Sequence, residues 1–407
     1  MARESYYEKL GGLIEQRDGK KVANLLNVAN GQAIDYFKGN SNYHNDAARY
    51  LPKEWKEIGV SFGTCLKSML KSDYEDFFRA YEKFITALNR TANSEGLWII
   101  PVLKKSAVTI TKMTAVCSDN SAKLKEYLEL ASRCINGTFK ICLNDRQSDD
   151  MTSTKKIAAY FFAGMMLRVY FRLKAYSLAK GITKAITAVG HTIPPLDSSP
   201  IADQVVYTYY IGVLDFMSQA YFPAEKKLSN CLSLIPLSAK KSRETVLLYL
   251  IPAKQLANIV PIPELWSEFP ALEKVYKPLL DALKLGKLGI YHKLLEEHQN
   301  FLVTRHLYFA FTRLSQACSL HLIFKTWLAL GKGNRLKVED LAAAYHLESY
   351  FDDVFKTPEE QANAVELQVA EMISEGKMRG YISHSMRTVV LSNRNPFPTL
   401  VKPAPAS

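Results

Sequence analysis

The chain has 407 residues, 48% of them hydrophobic, and a formal charge of +12 with an isoelectric point near 9.2. That apolar content excludes a disordered chain and supplies one large or two medium cores, while the positive excess points to a polyanionic partner, whether nucleic acid, an acidic protein or anionic lipid; a basic but merely solvated surface is the competing reading. A polar start without a signal peptide, no apolar run near the roughly 20 residues of a membrane span, and six dispersed cysteines on mostly apolar positions (Cys65, Cys117, Cys134, Cys142, Cys231, Cys318) describe an intracellular protein with reduced core thiols, no zinc and no other cofactor.

In chain order, residues 1–96 form an amino-terminal helical region. Residues 6–17 and 20–37 each read as a helix, broken at Asp18-Gly19; 39–44 is a polar turn cluster, and helices resume from 53. Ser72-Asp73 caps a helix whose Tyr74, Phe77, Phe78, Tyr81, Phe84, Ile85 and Leu88 recur at spacings of three and four. Core is the expected fate of that stripe, a ligand face the alternative. Residues 97–300 read as helical repeats of the tetratricopeptide kind. Residues 97–116 are apolar nearly all round, 123–143 carry a clean stripe through Cys134, Phe139 and Cys142, and 144–154 is a polar connection. Helices at 155–173 and 174–189 pair, and the three prolines of 191–200 mark the best internal boundary. Ile211-Gly212, Ala224, Leu228, Cys231 and Pro236 then fall at tetratricopeptide spacing, with a looser echo in Ala163, Ala175 and Ile182. Such pairs stack into a solenoid that needs caps at its ends.

Residues 301–400 form the carboxyl-terminal cap, and 401–407 a short tail. One long helix from about 299 to 330 leads into a basic loop (Lys332, Arg335, Lys337), a short helix at 338–346, an acidic helix at 359–375, and two strand-like runs, 378–383 and 387–392, turning at 384–386. Helix, helix and basic hairpin are the plan of a winged helix, joined stiffly to the solenoid by the long helix. The fold class is therefore an all-α solenoid of tetratricopeptide-like pairs capped by a winged helix.

The segment GYISHSMRTVVLSNRNPFP, residues 380–398, resembles the close of the Thp-one and signalosome-subunit-twelve family of PCI proteins. FKICLNDR at 139–146, KKIAAYFFA at 155–163, IPPLD at 193–197 and QVVYTYYIG at 204–212 are similar too, and FKICLNDR and IPPLD favour the subunit-twelve branch. The resemblance spans residues 97–400. It implies a non-catalytic adaptor that pairs with a larger PCI protein of the Sac-three or Thp-three type and with the small acidic protein Sem-one (DSS-one). The implied work is nuclear: messenger-RNA maturation, transcription elongation and export, on a basic winged-helix surface that binds RNA or DNA.

The residues suggest how. No acid occurs from 378 to 407, where Arg379, Arg387, Arg394 and Lys402 are basic, while the helix at 359–376 carries five glutamates and no base. Inserting that helix into a major groove would set carboxylates against phosphates, so phosphate contacts from Lys332, Arg335, Lys337, Arg379, Arg387 and Arg394 are expected, with little base readout. Thr388, Val389, Val390 and Leu391 read as an exposed strand edge that joins the PCI partner, or as core at alternate residues. Lys226, Lys227, Lys240, Lys241 and Arg243, near Tyr207, Tyr209 and Tyr210, offer a face for the acidic protein; solvated helix faces are the plain alternative. HExxH and G-x-S-x-G are absent, and GKGNRLK at 331–337 lacks phosphate-loop spacing. The second functional reading is a scaffold subunit of the signalosome, proteasome-lid or translation-initiation kind that touches no nucleic acid.

Overall fold

Side-chain caps cut the amino-terminal region into shorter helices than hydrophobic periodicity alone suggests. The computed structural model describes residues 5–118, 120–146, 153–257, 259, 261, 264–348 and 357–400, so Lys402, the 401–407 tail and part of the 144–154 connection lie outside the described residues. Helix α1 (Tyr6–Glu15) starts at Ser5, whose N–H donates to the Glu8 carboxylate at 3.3 Å. Asp18 caps α2 (Gly19–Leu25) by accepting from the Lys21 N–H at 3.0 Å. Asn30 caps α3 (Gly31–Gly39) by accepting from the Ala33 N–H at 3.0 Å. The single helix expected over 20–37 is thus two helices, because Asn27 and Asn30 turn the chain between them.

The rest of the first unit, Met1–Leu214, follows the apolar stripes. It comprises α4 (Tyr43–Tyr50), α5 (Lys56–Leu70), α6 (Tyr74–Ala92), α7 (Ile100–Val116), α8 (Ser121–Leu143), α9 (Ala159–Arg172), α10 (Tyr176–Ala188) and most of α11 (Ile201–Met217). Phe77, Phe78, Tyr81, Phe84, Ile85 and Leu88 of α6 are all buried, so the aromatic stripe is core, with the Tyr81 hydroxyl donating to the Ser106 carbonyl at 3.1 Å. One hydrophobic cluster runs from Tyr6 to Leu214. Helices α8 and α9 are joined through a short 3-10 turn, Lys155–Ala158. Its first residue is a lysine only 1% exposed, which meets Asp145 at 3.2 Å. The Asp145 carboxylate also accepts the Lys155 backbone N–H at 2.7 Å, and the ammonium donates to the Glu95 carbonyl at 2.6 Å. FKICLNDR and KKIAAYFFA are therefore held to each other by a fully buried ion pair.

The second unit, Asp215–Ser407, begins inside α11, beyond the proline segment 191–200. Helices α12 (Tyr221–Leu234) and α13 (Lys240–Leu256) pack together, with Ala224, Leu228 and Cys231 at 0% exposure on α12. There follow α14 (Glu264–Glu268), α15 (Pro270–Leu285), α16 (Leu288–Glu297), α17 (Gln299–Thr304) and α18 (Tyr308–Ala329). The long helix expected over 299–330 is broken at 305–307, where His306 takes φ +59° and the Leu307 N–H returns to the Leu302 carbonyl at 2.8 Å. Buried hydroxyls knit the layer: Tyr276 donates to the Leu248 carbonyl and Tyr291 to the Phe311 carbonyl, each at 2.7 Å. Gly286 closes α15 at φ +66°, where a Cβ would lie 2.7 Å from the Leu322 nitrogen of α18.

From α18 the chain enters a small α/β module: β1 (Arg335–Lys337), α19 (Val338–Leu347), α20 (Pro358–Ser374), β2 (Gly380–Ser383) and β3 (Thr388–Leu391). The three strands are antiparallel in the order β1-β3-β2. A mostly helical chain ending in helices and a three-stranded sheet is the arrangement of helical repeats with a winged helix. Two expectations need correction. The basic loop is in part a strand, since Arg335 and Lys337 flank the buried Leu336 in β1. Thr388–Leu391 is not an edge, because β1 takes one side of β3 and β2 the other. Backbone pairing with another chain at β3 is therefore closed, and the free edges belong to β1 and β2.

Candidate nucleic-acid interface

Alternation along three short strands sorts the winged-helix residues into an inner and an outer face. Leu336, Val389 and Leu391 are buried inward, toward the elements that pack on the sheet, α19 on β1 and α20 on β2. The register pairs Arg335 with Val390 and Lys337 with Thr388 on one side of β3, and Tyr381 with Val390 and Ser383 with Thr388 on the other. Residues directly opposite one another share a face. The outer face therefore carries Arg335 and Lys337 on β1, Thr388 and Val390 on β3, and Tyr381 and Ser383 on β2. Arg379, two residues before Tyr381, is exposed as well, and its carbonyl accepts from the Ser392 N–H at 2.8 Å.

The other predicted bases sort by where the sheet ends. The Leu391 N–H donates to the Asn334 carbonyl at 2.7 Å, so the loop with Lys332 and the loop with Arg394 leave the same end of the sheet. Both residues are exposed. An aromatic clamp fixes that end. Phe397 packs on Phe324 and Trp327 with ring centroids 5.2 and 5.3 Å apart, and the Trp327 indole N–H donates to the Gly333 carbonyl at 2.8 Å. Arg387 stands at the opposite end, where its carbonyl accepts from the Val338 N–H at 2.9 Å. Its guanidinium is half-buried and lies 3.5 Å from the Glu359 carboxylate of α20. One of the six predicted contacts is thus engaged within the fold. Among the described residues Lys332, Arg335, Lys337, Arg379 and Arg394 have no acidic partner.

Helix α20 is acidic for a structural reason in part. Glu366 is nearly buried and meets the His384 ring nitrogen of the hairpin turn at 2.7 Å, and Glu375 pairs with Lys377 at 2.6 Å. The hydrogen bond from Lys377 holds the Glu375 carboxyl below its usual range. Glu359, Glu360 and Glu371 remain exposed, so the helix presents carboxylates to solvent.

The residues predicted for an acidic protein split the same way. Lys226, Lys240 and Lys241 are exposed. Lys227 pairs with Asp215, and Arg243 donates to the Leu232 and Ile235 carbonyls at 3.4 and 3.0 Å, capping the end of α12. At the predicted PCI joint, Val389 and Leu391 are core, and Thr388 and Val390 are half-buried on the outer face.

Among the described residues no group of three or more His, Cys, Asp or Glu is placed to hold a metal ion, and no helix is long and apolar enough to cross a membrane. All six cysteines are buried and none is in a disulfide, and burial pushes the Cys134, Cys142, Cys231 and Cys318 thiols up to about 12. GKGNRLK runs from just past helix α18 through strand β1 to the start of α19, so a helix precedes it where a phosphate loop follows a strand. Sequence reasoning missed Tyr381, which is 63% exposed on the edge strand β2 of the basic face. The available signal was its spacing, two residues from Arg379 in a period-two run.

The PCI-domain family profile matches residues 295–393. The protein named "Protein CSN12 homolog" in Yarrowia lipolytica is 28% identical over 403 residues, 97% of this chain and 98% of that protein. Its namesake in Schizosaccharomyces pombe is 34% identical over 284 residues, 70% of this chain and 64% of its own length. The "Cop9 signalosome complex subunit 12" of Saccharomyces cerevisiae is 26% identical over 352 residues, 81% of this chain and 82% of that protein.

Proposed function

We propose that the chain, which belongs to the PCI-domain proteins of the CSN12 type, is a non-catalytic adaptor whose winged helix contacts nucleic acid. It pairs with a second, larger PCI protein of the Sac-three or Thp-three type and with the small acidic protein Sem-one (DSS-one), and it acts in the nucleus in messenger-RNA maturation, transcription elongation and export. The observation that carries this reading is the outer sheet face with its adjoining loops. Five bases there have no acidic partner among the described residues, and the strand residues of that face include no acid.

Neutralising about five phosphates of a single strand makes affinity fall on the order of a hundredfold between roughly 50 and 200 mM salt. Exposed Lys226, Lys240 and Lys241 remain for the acidic protein, and the free edge of β2 replaces β3 as the place where a partner strand would add. The second reading, a scaffold that touches no nucleic acid, is favoured by the relatives named as signalosome subunits. The test is the affinity of the full chain, alone and with its co-purifying partner, for labelled RNA and DNA across a salt series. Reversing Arg335, Lys337 and Arg379 to Glu abolishes binding and leaves the partner attached if the adaptor reading holds. Unchanged affinity in that variant leaves the scaffold reading.

A further inference from the structure

We propose that the outer sheet face selects single-stranded over duplex nucleic acid by stacking an unpaired base on Tyr381. The inference rests on the nucleic-acid reading above and names its ligand class. Tyr381 is 63% exposed, an unusual position for a residue whose ring could bury apolar area in a small module. Its place in the sheet is fixed. It lies directly opposite Val390, which lies opposite Arg335, so ring, apolar side chain and guanidinium form one row about 10 Å long, at about 4.8 Å per strand step. Arg379 stands two residues along on the same strand, about 7 Å away, and Lys337, Thr388 and Ser383 form the next row. An aromatic ring set among bases, on a face whose strand residues include no acid, is the composition of a single-strand platform: the ring takes a base and the cations take the flanking phosphates.

Duplex DNA fits the same module poorly. The helix that would enter a major groove is α20, which presents Glu359, Glu360 and Glu371 to solvent, and these repel phosphates. In a duplex each base is already stacked, so reaching Tyr381 costs unstacking of a few kcal/mol. A single strand has bases to offer without that cost.

The test compares the full chain, with its co-purifying partner when present, and its Tyr381→Ala and Tyr381→Phe variants. Fluorescence anisotropy follows three labelled probes of about twelve units, within the usual single-strand site size: oligouridine, an abasic single strand and a duplex. Tyr381→Ala weakens oligouridine binding on the order of tenfold, leaves the abasic strand and the duplex unchanged, and leaves the salt slope unchanged. Tyr381→Phe retains binding, since a phenyl ring stacks as well. Equal loss on the abasic strand, or no loss on oligouridine, overturns the proposal. So does release of the co-purifying protein with RNA affinity intact, which would make the face a protein joint. A silent Tyr381→Ala beside a triple charge reversal that abolishes binding sinks stacking alone, whereas a silent triple reversal sinks the nucleic-acid reading itself.

Discussion

Two lysine- and arginine-bearing regions of this chain spend their charge in opposite ways. At the junction of α8 and α9, Lys155 is 1% exposed and commits its ammonium to Asp145 and to the Glu95 carbonyl. On the outer face of the winged-helix sheet, Arg335, Lys337 and Arg379 are exposed and meet no acid among the described residues. Both regions raise the same net charge of +12, yet the first is a structural fastening and the second is available to a ligand. The informative quantity is how many internal partners each cation has.

The contrast is broken most severely at Lys155. Replacing it with Met leaves the Asp145 carboxylate buried without its cation and costs about 3–5 kcal/mol, read as a lower urea midpoint at unchanged slope. Lys155→Met with Asp145→Leu recovers much of that loss, because it is the orphaned charge that is expensive. Arg243 is the intermediate case. Arg243→Ala removes the donors to the Leu232 and Ile235 carbonyls and costs about 1–2 kcal/mol, whereas Lys240→Ala with Lys241→Ala stays within about 0.5 kcal/mol and shows its effect only in the affinity for an acidic partner.

Two half-buried imidazoles sharpen the comparison from the other side, since partial burial lowers the His292 and His321 values below the ordinary 6.5. Their folded state resists protonation, so the unfolded chain takes up protons first as pH drops below about 6.5. Stability then falls with acidification through that window and is level above it. Urea melts between pH 7.5 and 5.5 register the fall, and His321→Gln reduces it. At the small end, Arg387→Ala breaks an exposed pair with Glu359 and changes stability by less than about 1 kcal/mol. It also leaves the salt slope of nucleic-acid binding nearly unchanged, where Arg335→Ala lowers it by about 0.7 for a single strand.

Sequence reasoning succeeded where one periodicity governs one element. The stripe of α6 announced its own burial, and the cysteines on apolar positions proved to be core. The acidic helix, the hairpin turn and the tetratricopeptide-like packing of Ala224, Leu228 and Cys231 were legible for the same reason. It failed where the deciding contact is distant in the chain. Strand β1 has a single buried residue, Leu336, between two charged ones, too little alternation to stand out, and it exists because β3 pairs with it from fifty residues away. That pairing moved Thr388–Leu391 from the edge to the centre. Lys155 was read as an ordinary helix opening because its partner, Asp145, lies beyond a polar connection. The break at 305–307 was hidden because the apolar pattern continues across it, and a histidine rather than a glycine takes the left-handed turn.

The clamp around Trp327 makes the winged helix optically self-reporting. Of the four tryptophans in the chain, Trp327 is the one whose indole is bonded to the loop bearing Lys332 and packed at a tilt against Phe397. Retaining Trp327 and replacing Trp55, Trp98 and Trp266 with Phe leaves an emission signal from that loop alone. A ligand that draws Lys332 toward a phosphate then shifts or quenches this emission, while one that docks elsewhere leaves it dark to the event.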